Sequence, residues 1–170
     1  MQRIFFIGYM GAGKTTVGKA FAAQAGLAFI DLDVFIESHH YRTVRQIFEE
    51  KGEAAFREIE RRALREVAGF EDAVISTGGG TPCFFDNMEF MNATGTTVYL
   101  KVSVDELARR VELNKNARPI LRDLSGDELR RFIARSLSER TSCYEQARII
   151  LDAEHMIADG DIYRQIIGGI

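Results

Sequence analysis

The chain has 170 residues, 46% hydrophobic and 28% charged, which suits one compact globular unit with a sizeable core. Its formal net charge of −3 excludes a global basic field for nucleic acid or an anionic membrane surface, so any anion must be held by a local site.

Short apolar runs alternate with longer helical patterns along the chain. Ile4-Phe5-Phe6-Ile7 reads as a buried strand and Val17 to Ala25 as a helix. Ala28-Phe29-Ile30 is a second strand, followed by helical Val34 to Glu37. Thr43 to Ala68 predicts two helices broken near Gly52. Further strands are expected at Ala73-Val74-Ile75, at Thr97 to Leu100 and at Arg148 to Leu151, the last preceding a helix from about Asp161. Thr43/Gln46, Ser103/Glu106 and Ser125/Glu128 each have capping-box spacing. Continuous apolar strands alternating with helices predict a parallel α/β sheet covered on both faces. The least regular stretch, Asn114 to Leu124, is either a lid or a plain surface loop.

Gly8-Tyr-Met-Gly-Ala-Gly13-Lys14-Thr15 matches G-x-x-x-x-G-K-[ST] between a strand and a helix. Glycines let backbone N–H groups wrap a phosphate chain, and the following helix adds its positive end. Lys14 would reach the β- and γ-phosphates and Thr15 would ligate Mg²⁺. A merely structural turn would not need a lysine at a helix start, where a cation opposes the helix dipole. The motif therefore predicts binding of ATP with Mg²⁺.

Asp31 and Asp33 follow the second strand and can face this loop, since parallel strands share a carboxyl edge. On an extended backbone the two would point the same way, one toward Mg²⁺ and one toward a substrate hydroxyl. Asp33 as a cap of the helix starting at Val34 is the alternative, and the pair alone leaves both readings open. Gly78-Gly79-Gly80 at the end of the third strand allows close approach to a ligand or simply a turn. Arg57, Arg118 and Arg140 are ordinary surface arginines or carboxylate binders, with Glu60 placed to pair with Arg57 one helical turn on. His39, His40 and His155 lack metal-ligand spacing and read as surface residues. Cys83 and Cys143 are 60 residues apart in no metal or disulfide pattern. With no run approaching a signal or membrane segment, the expected location is cytoplasmic.

Taken in order, these pieces resemble the shikimate kinases over nearly the whole chain. They are the phosphate loop, Phe29 to Glu37, Ile47 to Glu60, Ser76 to Gly80, Arg118-Pro119-Ile120-Leu121, and Arg140 ahead of Tyr144 to Ala147. The resemblance implies a single domain, residues 1–170, built as a three-layer α/β/α sandwich. Its five-stranded parallel sheet would have order 2-3-1-4-5, as in P-loop nucleoside monophosphate kinases. Substrate-binding helices would lie at about 33–60 and a lid at about 112–124. It implies transfer of the ATP γ-phosphoryl group to the 3-hydroxyl of shikimate on the route to chorismate and the aromatic amino acids.

By position, Asp33 resembles the residue that binds shikimate hydroxyls and takes the proton, acting with Lys14 and Arg118. Arg57 and Arg140 resemble the carboxylate clamp, and Glu60 the partner that orients Arg57. Gly79 and Gly80 resemble the floor of the substrate site, with Phe48 and Phe56 as its walls. Gly11, Ala12, Gly13, Lys14, Thr15 and Thr16 would hold the nucleotide, with Arg110 flanking adenine and Arg118 closing over the phosphates. Thr15 and Asp31 would face Mg²⁺. The implied partner is shikimate, with no nucleic acid and no membrane, and the chain is expected to be a monomer. Four positions depart from the family pattern: Tyr41 stands for Gly, Thr43 for Ser, Gln46 for Glu and Ser142 for Pro. Another small-molecule kinase of the same fold, or a nucleotide-sensing module, is the competing reading. The second needs no acceptor site.

Overall fold

The computed structural model describes residues 2–113, 124–154 and 160–169. In chain order the elements are β1 (Arg3–Ile7), α1 (Lys14–Ala25), β2 (Ala28–Asp31), α2 (Leu32–His40) and α3 (Val44–Val67). Then come β3 (Ala73–Ser76), a 3-10 turn (Thr81–Cys83), α4 (Asn87–Thr94) and β4 (Thr96–Lys101). The remainder is α5 (Val104–Leu113), α6 (Gly126–Tyr144), β5 (Ile149–Asp152) and α7 (Gly160–Gly169). The sheet order is β2-β3-β1-β4-β5 with every neighbouring pair parallel, and helices complete the three-layer sandwich.

The apolar runs become the strands for a physical reason. Ile4, Phe5, Phe6 and Ile7 of central β1 are all fully buried, as are Val74 and Ile75 of β3 and Val98 of β4. Each such side chain contributes roughly 1.5–3 kcal/mol on burial. The expectation of coverage on both faces fails at the edges. Strand β2 is only half-buried, and β5 alternates, with Ile150 exposed. An edge strand has a neighbour on one side only, so fewer side chains cover it. Among the described residues no helix is long and apolar enough to cross a membrane.

The local capping and turn signals form in part. The Thr43/Gln46 box forms in both directions, and the break expected at Gly52 is a kink within α3, where Gly52 has φ 81°. Tyr41 ends α2 with φ 50°, the left-handed conformation that favours glycine. Its ring stays in solvent. At Ser103 only half the box forms: Glu106 N–H donates to Ser103 Oγ, but the Glu106 carboxylate is taken by Arg109 and Arg110. The Ser103 N–H instead donates to Glu154. At Ser125 no side-chain cap forms, and the next N–H, of Gly126, donates to Glu112 across the gap to α5.

Strands β3 and β4 flank β1 on opposite sides, so the chain reverses direction of progress there. The crevice beyond the carboxyl end of β1 is the usual ligand position in such a sheet. It is bordered by the loop 8–13, by Asp31 at the end of β2, and by the glycines after β3.

Candidate active site

The loop 8–13 is shaped by its glycines: Gly11 has φ 85° and Gly13 φ 96°, both in the left-handed region. Ala12 N–H donates back to the Tyr9 carbonyl, closing the turn. Helix α1 starts at Lys14, three residues before the expected Val17, with no side chain capping it and no acidic residue in its first turn. Its N-terminal N–H groups and positive end are thus left for an anion. Lys14 Nζ donates to the carbonyls of Gly8 at 2.8 Å and Tyr9 at 3.0 Å, which folds the ammonium over the loop.

Arg110, on α5, grips the same loop from behind. Its Nη1 donates to the Ala12 carbonyl at 3.2 Å and more weakly to that of Gly11. Its Nη2 donates to the carbonyls of Ala153 and Glu154, both at 2.9 Å. Glu106 accepts from Arg110 Nε at 2.6 Å, and hydrogen bonds from Arg109 and then Arg110 hold its carboxyl down at about 2.

The two aspartates do not share an extended backbone, because α2 begins at Leu32 rather than Val34. Asp31, not Asp33, is the helix cap: its Oδ1 accepts from the N–H groups of Asp33 and Val34. Its Oδ2 accepts from the Thr15 hydroxyl at 2.9 Å. The capping alternative for Asp33 therefore falls, and the Asp33 carboxyl is released into the crevice. Burial, then the charges of Asp31 and Glu60, push it up from 3.8 to about 6, against the pull of Lys14. Thr15 and Asp31 together present the hard oxygen donors that suit Mg²⁺. Among the described residues no three His, Cys, Asp or Glu side chains gather into a metal cage. An ion here would share its ligands with nucleotide phosphates and water.

Gly78, Gly79 and Gly80 form the hub. A methyl group on Gly78 would lie 3.0 Å from Glu60 Oε1 and 3.2 Å from Asp33 Oδ1. On Gly79 it would meet the Met10 N–H nitrogen at 3.4 Å and Arg140 Nη1 at 3.6 Å. On Gly80 it would collide with Arg57 Nη2 and Nη1, at 2.7 and 2.8 Å. The three glycines thus let the phosphate loop, Asp33, Arg57, Glu60 and Arg140 converge on one strand end.

Arg57 is no surface arginine: it is 9% exposed. Its Nη1 donates to Glu60 Oε2 at 2.8 Å, and Glu60 is 1% exposed. Phe48 and Phe56 stack 4.4 Å apart beside it. Arg140, near the end of α6, lies over the Tyr9 ring at 5.6 Å. Ser142, where a proline was usual, leaves α6 unbroken to Tyr144, whose hydroxyl donates to the Gly79 carbonyl. Arg118, with residues 114–123 of the expected lid, lies outside the described residues, as does His155. His39 and His40 are exposed at the end of α2.

Several residues here went unread in the sequence. Phe84 lies 4.0 Å from the Arg57 guanidinium carbon, nearer than Phe56 or Phe48. Thr81 donates to Glu60, and Tyr9 and Tyr144 pack about Arg140 and Gly79. Phe84 and Thr81 had no periodicity to betray them. Only their position just past the glycines was a signal. The cysteines, distant in sequence, are free but near enough to shift each other's titration, and Cys143 donates to the Pro82 carbonyl. The Cys143 thiol, with the guanidiniums of Arg140 and Arg57, holds the Cys83 thiol below its ordinary value despite burial.

A family model described as shikimate kinase matches residues 10–169. A shikimate kinase of Parabacteroides distasonis is 64% identical over 96% of this chain and 94% of its own length. The crystal structure of shikimate kinase from Bacteroides thetaiotaomicron is 55% identical, with TM-score 0.84 over 89% of this chain and 86% of that one. The shikimate kinase of Acinetobacter baumannii, solved in complex with shikimate, is 33% identical, with TM-score 0.86 over 98% and 91%.

Proposed function

The chain belongs to the shikimate kinase family, and from that premise we propose that it transfers the γ-phosphoryl group of ATP to the 3-hydroxyl of shikimate. The products are shikimate 3-phosphate and ADP, on the route to chorismate. One observation carries the reading: Asp33, Arg57 and Arg140 meet the same three glycines beside the phosphate loop. That combination fits a small acceptor bearing both hydroxyls and a carboxylate.

Each residue's part follows from its surroundings. Arg57 and Arg140 bind the shikimate carboxylate, Glu60 orients Arg57, and Gly79 and Gly80 form the floor against Phe48 and Phe56. Asp33, titrating near 6, is mostly ionised at neutral pH yet basic enough to accept the hydroxyl proton as the phosphorus–oxygen bond forms. The N–H groups of Gly11, Gly13, Lys14, Thr15 and Thr16 hold the phosphates, and Ala12, whose own N–H closes the turn onto the Tyr9 carbonyl, shapes the nucleotide loop between them. Lys14 leaves the loop carbonyls for the β- and γ-phosphates and spreads charge off the transferring group. Arg110 borders the adenine while tying the loop from behind, and Arg118 closes over the phosphates. Thr15 and Asp31 would hold Mg²⁺, which supplies neutralisation of phosphate charge when bound.

The same reading makes the protein a cytoplasmic monomer of one domain, with a lid near 112–124 and no nucleic-acid or membrane partner. The net charge of −3 agrees with the last point. Purified protein with ATP and Mg²⁺ should release ADP only when shikimate is added. No shikimate-dependent ADP, with turnover of another sugar acid instead, would refute the assignment.

A further inference from the structure

We propose that Thr81 and Phe84, on the single turn after the glycines, are positioning residues that hold Arg57 ready for the substrate carboxylate. The inference rests on the reading of Arg57 as a carboxylate binder. An arginine side chain has much rotamer freedom to lose, so an arginine fixed before the ligand arrives binds it more tightly. Beyond Glu60 and Glu53 on its own helix, residues 80–84 supply two of the supports that fix it here.

The first support runs through Glu60. Arg57 has two carboxylate partners: Glu53 at 3.3 Å is largely exposed, while Glu60 at 2.8 Å is buried. The exposed pair contributes little, so Glu60 sets the direction. Glu60 uses Oε2 for Arg57 and accepts the Thr81 hydroxyl on Oε1. Thr81 is fully buried and is itself held, its carbonyl accepting from Asn87 Nδ2 at 2.9 Å. Asn87 is also buried, and its Oδ1 accepts from Arg65. Without the Thr81 hydroxyl, buried Glu60 Oε1 would lose that donor while facing the Asp33 carboxyl beside Gly78. A buried carboxylate that loses a donor beside a like charge turns away from it, and that turn weakens the bond from Arg57 Nη1 to Oε2.

The second support is the ring of Phe84, whose closeness to the guanidinium carbon sets the plane of the fork by stacking. Gly80 clears the space for both Nη atoms. The turn presents these groups together because Cys83 N–H donates to the Gly80 carbonyl and Pro82 lies inside it.

Steady-state kinetics on the whole chain, varying shikimate and ATP separately, test this. Thr81→Val, of the same shape, and Phe84→Leu should each raise the shikimate KM about tenfold, the effect of losing one charge-assisted contact. The ATP KM should stay within about twofold, since neither contact touches the phosphate loop. Thr81→Ser and Phe84→Tyr should restore near-parental values. Added to Arg57→Lys, Thr81→Val should have less than about a twofold further effect, because it acts through that arginine.

Unchanged shikimate KM in both variants, equal rises in both KM values, or full additivity with Arg57→Lys would overturn the inference. Thermal melts identify any variant that has simply unfolded, and Phe84→Leu then decides. If Arg57→Lys itself leaves the shikimate KM unchanged, the carboxylate reading fails, and this inference with it.

Discussion

Replacing Asp33 with asparagine should abolish turnover and yet stabilise the protein at alkaline pH. The carboxyl is displaced from 3.8 to about 6, chiefly by burial and then by Asp31 and Glu60. For a carboxylate raised in this way, the folded state binds the proton more tightly than the unfolded chain. Between about pH 4 and 6 the folded state therefore carries more protons, and stability falls as pH rises through that window. Above about 6 the whole penalty is present, with a ceiling of ~3 kcal/mol at 1.36 kcal/mol per pH unit.

Two effects reduce the gain on substitution. Asp33 is only half-buried by surface area, so water screens part of its charge. It also sits in the first turn of α2, where a negative charge is worth roughly 0.3–1 kcal/mol. Because Asp31 makes the cap, no capping bond is lost. Asp33→Asn should thus gain about 1–2 kcal/mol at pH 8, and essentially nothing at pH 4. Urea unfolding of both proteins at pH 4, 6 and 8 measures the difference, and ATP binding by calorimetry should be largely retained. In the parental enzyme, kcat/KM should fall on the acid side with an apparent pKa near 6. A variant equally or less stable at pH 8, or an offset that is the same at all three pH values, would refute the burial argument. Near-normal turnover would remove Asp33 from the chemistry.

Gly80→Ala tests the hub more directly. Gly80 has φ −89° and ψ −19°, which alanine adopts freely, so any effect comes from the methyl group against the Arg57 guanidinium. The shikimate KM should rise more than tenfold, by roughly 1.4 kcal/mol or more, with the melting temperature little changed; an unchanged KM would show that Arg57 moves without consequence. Iodoacetamide should label Cys83 before Cys143, since the Cys143 thiol and two guanidiniums depress the Cys83 thiol. Shikimate should slow that labelling in peptide mass mapping. Faster labelling of Cys143, or no protection, would place the substrate elsewhere.

How much of this was legible beforehand differs by kind of feature. The phosphate loop was complete in the sequence, because its function needs a contiguous run of backbone N–H groups followed by one lysine and one hydroxyl. Strand order and site came only with the family pattern, since Asp33, Arg57, Gly80 and Arg140 are each ambiguous alone. The segment 81–95 passed unread: α4 has eight residues and its Asp86 cap makes no side-chain bond. The capping pattern at Ser103 failed because α5's acidic residue was claimed by arginines, a competition that spacing does not reveal.

By itself the sequence determined what is local: apolar runs that must be buried, a glycine loop made for phosphate, and a kink at Gly52. Tertiary structure decided which aspartate caps and which is free, because that depends on where β2 ends and what Thr15 approaches. It also decided that Arg57 is buried rather than solvated, and that two cysteines 60 residues apart become neighbours. Such facts arise from through-space fields and packing between distant segments, whereas periodicity and spacing report only on neighbours along the chain.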